Sequence, residues 1–226
     1  MRNRAARARA ARAGASRDHA VVHRVAALLL EYPTPELVEM LPRLREAVGS
    51  LPPTLGAPLA GLVDHLASEP LTALQARYVE TFDLRRRCSL YLSYYAYGDT
   101  RKRGLALVTF KQAYRAVGFE LTEDELPDHL GVVLEFAATG GTPAQEAGIR
   151  LLLEHRAGLE LLRLALLDTG SPYAAAVVAV CATLPPLEGD EHVAVARLAA
   201  EGPPGEEVGL EPFAPPSYLP ATGARR

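Results

Sequence analysis

Apolar residues along this chain recur at intervals of three and four almost from end to end. They nowhere settle into the strict alternation that a half-buried strand requires. The first amphipathic stretch spans residues 18–31 and halts at Tyr32-Pro33, because proline disfavours helical geometry in the residue before it. Thr34-Pro35-Glu36 then reopens the chain as a helix start: a hydroxyl at the N-cap, a proline in the first turn and a carboxylate near the positive end of the helix dipole. Leu37, Leu41, Leu44 and Val48 share one face, and Gly49 suits a C-terminal stop. Pro42, inside this stretch, is expected to kink the helix or split it in two. Leu55, Leu59, Leu62 and Leu66 mark a third helix, and Leu71, Leu74, Tyr78 and Phe82 a fourth. A further one is built on Leu107, Phe110, Tyr114 and Val117 and closed by Gly118.

Thr142-Pro143-Ala144-Gln145 reads as another capped start, with Gln145 at the third position of a capping box. It leads into Leu151, Leu152, Leu159, Leu162 and Leu166 and ends near Gly170. Ser171-Pro172 opens the last strongly apolar helix, and a weaker helical stretch covers residues 191–200. The pattern predicts an all-α protein with one helical domain over residues 18–200. An Arg/Ala-rich arm (1–17) and a Pro/Gly-rich tail (201–226) flank it, both expected to be disordered and dispensable for folding.

Composition narrows the class. With 226 residues and 49% apolar content the chain can bury one sizeable core. The net charge of −3 hides an asymmetry: residues 1–17 carry six arginines and no acid, which leaves −9 on the remainder. An acidic body argues against a duplex nucleic-acid binder, which presents a basic face. Cys88 and Cys181 are too few for a disulfide framework and read as reduced thiols. The arm lacks the apolar segment of a secretory signal. The longest apolar run, 174–182, has about half the roughly 20 residues of a membrane-spanning helix. A cytoplasmic protein without membrane insertion is expected.

Several groupings of side chains invite a chemical reading. Asp128-His129 sets a carboxylate beside an imidazole, a pairing used in acid–base catalysis, yet neighbours on a helix point about 100° apart and do not orient one another. The same residues suit a helix start, with Pro127 first, Asp128 in the first turn and His129 on the surface. Tyr78 and Phe82, four residues apart, are either core or anchors lining an apolar groove, and Tyr91, Tyr94, Tyr95 and Tyr97 carry the same two readings. The triplets Arg85-Arg86-Arg87 and Arg101-Lys102-Arg103 are solvated charge or a grip on phosphates or acidic groups. His19 and His23 have metal-ligand spacing, but no third ligand is suitably placed, and no metal site is expected. There is no Walker A motif, and Gly140-Gly141 before a helix is only a weak anion-site pattern.

Two unusual phrases, in a fixed order, go further. One spans residues 78–104, from Tyr78-x-x-x-Phe82-Asp83 through the first basic triplet and the tyrosines to the second triplet. The other is Glu125-Leu126-Pro127-Asp128-His129, followed by Leu134-Glu135-Phe136. Together they resemble the nitrate reductase molybdenum cofactor assembly chaperones, the delta or J subunit family, within a wider group of molybdoenzyme chaperones. That group's Glu-x-Pro-Asp-His and Leu-Glu-Phe phrase is intact here, and the resemblance covers roughly residues 18–185. It implies a non-catalytic protein, with no cofactor of its own. Such a chaperone captures the N-terminal segment of the apo catalytic (alpha) subunit of respiratory nitrate reductase, holds it during molybdenum cofactor insertion, and leaves.

It further implies that Tyr78, Phe82, Asp83, Glu125, Pro127, Asp128, His129, Leu134, Glu135 and Phe136 border the client-peptide site. Arg85, Arg86, Arg87, Arg101, Lys102 and Arg103 would contact cofactor phosphates or acids of the client. Other readings of the chain are a chaperone for a different molybdoenzyme, an all-α transcription regulator using the basic arm, and a small hydrolase using Asp128 and His129.

Overall fold

Thr34 caps its helix as the sequence requires: its Oγ1 accepts from the Leu37 N–H at 3.2 Å, with Pro35 in the first position. This local agreement recurs along the computed structural model of the chain, which describes residues 2–122, 125–139, 141–202 and 204, with side chains from residue 14 onward. In order the helices are α1 (Arg2–Leu29), α2 (Pro35–Gly49), α3 (Pro53–Ser68), α4 (Leu71–Tyr78), α5 (Leu92–Tyr97) and α6 (Arg101–Arg115). They continue with α7 (Leu130–Thr139), α8 (Gly141–Glu154), α9 (Arg156–Asp168), α10 (Ala174–Ala182) and α11 (Gly189–Glu201). Among the described residues there is no strand, and the one extended pairing is an isolated antiparallel bridge between Tyr91 and His129. None of the described helices is long and apolar enough to cross a membrane.

α1 is the central beam. It packs on α7, α10, α2 and α3, and buries Val22, Val25, Ala26, Leu29 and Leu30. His23 is buried with them, its Nε2 2.8 Å from the Thr183 Oγ1. The Thr183 hydroxyl gives its only proton to the Val180 carbonyl at 2.7 Å, so the imidazole must be the donor. Burial, aided by His19, lowers the His23 pKa to about 4. Of the His19/His23 pair, His23 is thus a buried hydrogen-bonding group, while His19 is half-buried.

The described backbone of α1 runs back to Arg2 through an Arg/Ala-rich segment of strong helix formers. Elsewhere, local expectations differ from what forms. The helix expected from Thr142 to near Gly170 is two, α8 and α9, broken at His155. Gln145, expected in a capping box, instead joins α8 to α1: its Oε1 accepts from the Ser16 hydroxyl at 2.5 Å and its Nε2 donates to the Ser16 carbonyl at 2.8 Å. Pro42 neither splits nor ends α2. The carbonyl it leaves without a donor belongs to Val38, an exposed residue where solvent serves it, while Leu41 and Leu44 stay buried. Finally, the fourth helix ends as α-helix at Tyr78 and finishes in a π turn, Val79–Asp83, closed by the Leu84 N–H on the Val79 carbonyl at 3.0 Å. Gly140 and residues 205–226, where an anion site and most of a tail were expected, lie outside the described residues.

After a single 3₁₀ turn, Arg86–Cys88, the short helix α5 docks on α9. The approach requires Gly158, because a Cβ there would lie 2.8 Å from the Cβ of Tyr95. Tyr95 is locked in turn, its hydroxyl donating to the Ser89 and Arg87 carbonyls at 2.9 and 3.1 Å. Cys88 is buried and Cys181 half-buried, both as free thiols.

Candidate functional site

The two phrases, separated in sequence by residues 105–124, meet in space. The Leu92 N–H donates to the Asp128 carbonyl at 2.9 Å, and the Leu130 N–H to the Leu90 carbonyl at 2.8 Å, forming the bridge between Tyr91 and His129. Asp128 lies in a turn closed by the His129 N–H on the Leu126 carbonyl at 3.1 Å, the bridge holds His129 extended, and α7 begins only at Leu130. Asp128 therefore does not sit in a first helical turn. The cap falls to His129: its Nδ1 accepts from the Gly131 N–H at 3.2 Å, and its carbonyl from the Val133 N–H at 3.1 Å. An Nδ1 that accepts is unprotonated, and burial pushes the His129 pKa down, opposed by the Asp128 charge.

Asp128 is wholly buried. Its Oδ2 accepts from the Ser93 hydroxyl at 2.5 Å and pairs with Arg103 Nη2 at 3.3 Å, while Oδ1 has no protein partner. Arg103 also reaches the Ser93 Oγ at 3.2 Å, and its guanidinium lies 5.0 Å from the centroid of the Tyr91 ring. Behind them the Tyr114 hydroxyl donates to the Pro127 carbonyl at 2.6 Å. Asp128 thus clasps α5 and α6 to the start of α7. Its imidazole neighbour in sequence caps a helix instead of facing it as a catalytic partner.

The outer side of this clasp is an aromatic face edged with carboxylates. The Tyr78 hydroxyl donates to the Leu30 carbonyl at 3.0 Å, fixing α4 to the end of α1. The Tyr78 ring meets Phe82 at 4.7 Å and Tyr32 at 5.4 Å between centroids, and Tyr91 meets His129 at 5.4 Å. Burial raises the Tyr78 pKa, with Tyr173, Asp83, Tyr91 and Glu31 acting in the same direction. Glu31 is raised by burial and then by Glu135, with Arg24 opposing and Glu125 adding to the rise. Glu135 pairs with Arg24. Beside Glu125 and Glu135 opens a cleft of about 270 Å³ lined by Tyr114, Phe119, Val132 and Phe136. The end of α1 links the two halves of this face.

Accessibility divides the expected site residues. Pro127, Asp128, Leu134 and Phe136 are buried, as is most of Tyr78, so any effect they have on a partner passes through the shape of the wall. Phe82 and His129 are half-buried, and Asp83, Glu125 and Glu135 are exposed. Among the basic triplets, Arg103 is committed to Asp128, Arg85 pairs with Glu80 at 2.6 Å, and Arg87 pairs with Asp168 at 3.0 Å. Arg86, Arg101 and Lys102 are exposed. Sequence reasoning missed Ser93 and Glu31. Ser93 carried one signal, a hydroxyl inside the otherwise apolar and aromatic run from Leu90 to Tyr95; Glu31 joins the site only because α1 ends there.

Comparison with known proteins places this geometry in a family. Residues 49–179 match the family described as nitrate reductase delta subunit. The chain is 42% identical over 168 residues to the nitrate reductase-like protein NarX of Mycobacterium tuberculosis (strain H37Rv), covering 72% of this chain and 24% of that protein. It is 35% identical over 124 residues to the probable nitrate reductase molybdenum cofactor assembly chaperone NarJ of Bacillus subtilis (strain 168), covering 54% of this chain and 66% of that protein. With NarJ of Escherichia coli (strain K12), a nitrate reductase molybdenum cofactor assembly chaperone, it shares 38% identity over 114 residues, 49% of this chain and 48% of that one. The chain thus spans less than two thirds of the length of each of these relatives. A crystal structure of a putative redox enzyme maturation protein from Archaeoglobus fulgidus shares the fold, with a TM-score of 0.52 at 23% identity over 73% of this chain and 90% of that one. With more than half of its length matched, the chain belongs to the nitrate reductase delta subunit family.

Proposed function

We propose that this protein is an assembly chaperone for the catalytic subunit of a nitrate reductase. It holds the apo subunit by its N-terminal segment while the molybdenum cofactor is inserted, performs no catalysis, and binds no cofactor of its own. The observation that carries the reading is the meeting of the two phrases at the Tyr91–His129 bridge, where aromatic rings lie beside α7 and Glu125 and Glu135 line a cleft. Such a face suits a segment with apolar residues at helical spacing and positive charge beside them: apolar burial supplies affinity, and the carboxylates supply register and rapid encounter. The relatives named as chaperones support the kind of partner.

The test uses a synthetic peptide of the client's N-terminal segment and isothermal titration. Phe82→Ala and a Glu125→Lys, Glu135→Lys double variant should stay folded, since these side chains are half-buried or exposed. Each should weaken binding by about 1–3 kcal/mol. Wild-type affinity in both, with full nitrate reductase maturation in cells, would remove the face from the client site. A steady turnover of small substrates by the isolated protein would instead revive the catalytic reading of Asp128 and His129.

A further inference from the structure

α11 differs from the helices around it. Each helix from α2 to α10 contributes at least two buried residues, whereas α11 contributes none. It rests on α9, with Leu198 packed partly against the core. Between the two helices remains a cleft of about 460 Å³, lined by Tyr95, Leu161, Leu164, Ala165 and Leu198. On α9, Leu164 and Leu167 stay 42% and 49% exposed, so the outward face of α9 is apolar and incompletely covered.

The polar groups of α11 are satisfied within itself. Glu188 and Glu191 form a complete capping box, and Arg197 pairs with Glu201 at 3.0 Å. A helix that caps itself leaves no stranded donor behind when it moves away. Pro185 and Pro186 stop α10 from running on, and residues 185–188 between the two helices carry no regular structure. α11 also lies beyond residues 49–179, the part matched to the family.

We propose that the outward face of α9 is a second docking surface for the client, made for an amphipathic helix, and that α11 occupies it in cis until the client displaces it. The occupant is inferred from the one now seated there, a 13-residue helix presenting a narrow apolar edge. The proposal rests on the client reading above. Competition in cis lowers the apparent affinity by the fraction of molecules in which α11 is lifted, so weakening α11 should tighten client binding.

Full-length wild type and Leu198→Glu are compared by titration with the client N-terminal peptide and by hydrogen–deuterium exchange. The variant is expected to bind about tenfold tighter. In the wild type, bound peptide should protect α9 amides and release those of α11. Equal affinity of the two proteins, with α11 protection unchanged by peptide, overturns the proposal. So does a Leu198→Glu protein that becomes a dimer in light scattering, which would make a second copy the occupant. If neither protein binds peptide, the client reading fails by itself. The cover is then judged by exchange alone, and α11 amides as slow as those of α9 in the free wild type overturn it.

Discussion

The clasp around Asp128 and the cover formed by α11 are built on opposite plans. At the clasp, a fully buried carboxylate joins a buried hydroxyl and a mostly buried guanidinium through one of its oxygens, across three segments, with a backbone bridge fixing the register. At α11, the carboxylate–guanidinium pair and the capping box stay in solvent within a single helix, and no residue is fully buried. Polar groups removed from water are costly unless paired, so they tolerate one arrangement only. Polar groups left in water specify nothing beyond their own helix. The first plan fixes a shape; the second lets an element leave.

The largest expected effect follows from breaking the same kind of ion pair in both places. Asp128→Ala takes the carboxylate from the buried Ser93 hydroxyl and from Arg103 and should cost about 3 kcal/mol of unfolding free energy. Arg197→Ala, at a pair with side chains 74% and 62% exposed, should stay within about 0.5 kcal/mol. Urea denaturation of both variants makes the measurement. Similar midpoints would abolish the distinction between clasp and cover.

Acid should act on the interior through His23. His23 is buried and neutral in the fold, its pKa lowered from 6.5 to about 4. The unfolded chain takes up the proton first as pH falls, so this contribution is intact above 6.5 and drains away between 6.5 and 4. At roughly 1.4 kcal/mol per pH unit, the loss is on the order of 3 kcal/mol. His19, His129 and His155, all shifted downward by burial, act in the same direction. Stability measured across that range should fall in the wild type and fall less steeply in His23→Gln. A parallel slope in the variant would place the acid sensitivity elsewhere.

How much of this was legible beforehand depends on the range over which each feature is determined. Helices such as α2 and α3 follow from leucines at three- and four-residue spacing, and the cap at Thr34 from three consecutive residues; such information is local. The clasp is not local. That Asp128 precedes α7 follows from backbone bonds to Leu90 and Leu92, and no pattern around Pro127 announces them. Gln145 looked like a cap because Ser16, more than a hundred residues away, cannot be seen from its neighbours. The two phrases could be flagged as unusual and attached to a family, while the burial of Leu134 and the exposure of Glu125 required the packing.

The smallest effect gives the finest comparison, because it uses one device in both regions. His129 caps α7 through its Nδ1, and Glu188 caps α11 through its carboxylate. Replacing either with alanine removes a bond to an orphan N–H at the helix start, worth about 0.5–2 kcal/mol to that helix. α7 is packed on α1 and α8 and carries Leu130, Val133 and Leu134 into the core, so its loss is a loss to the whole fold. His129→Ala should therefore lower the global unfolding free energy by about 1 kcal/mol. Glu188→Ala should leave the global midpoint where it is and speed amide exchange only within residues 189–201, because a helix with no fully buried residue can fray without the core unfolding. Paired denaturation and exchange measurements decide it. If Glu188→Ala shifts the global midpoint as far as His129→Ala does, α11 is an integral part of the fold, and its role as a displaceable cover falls with that result.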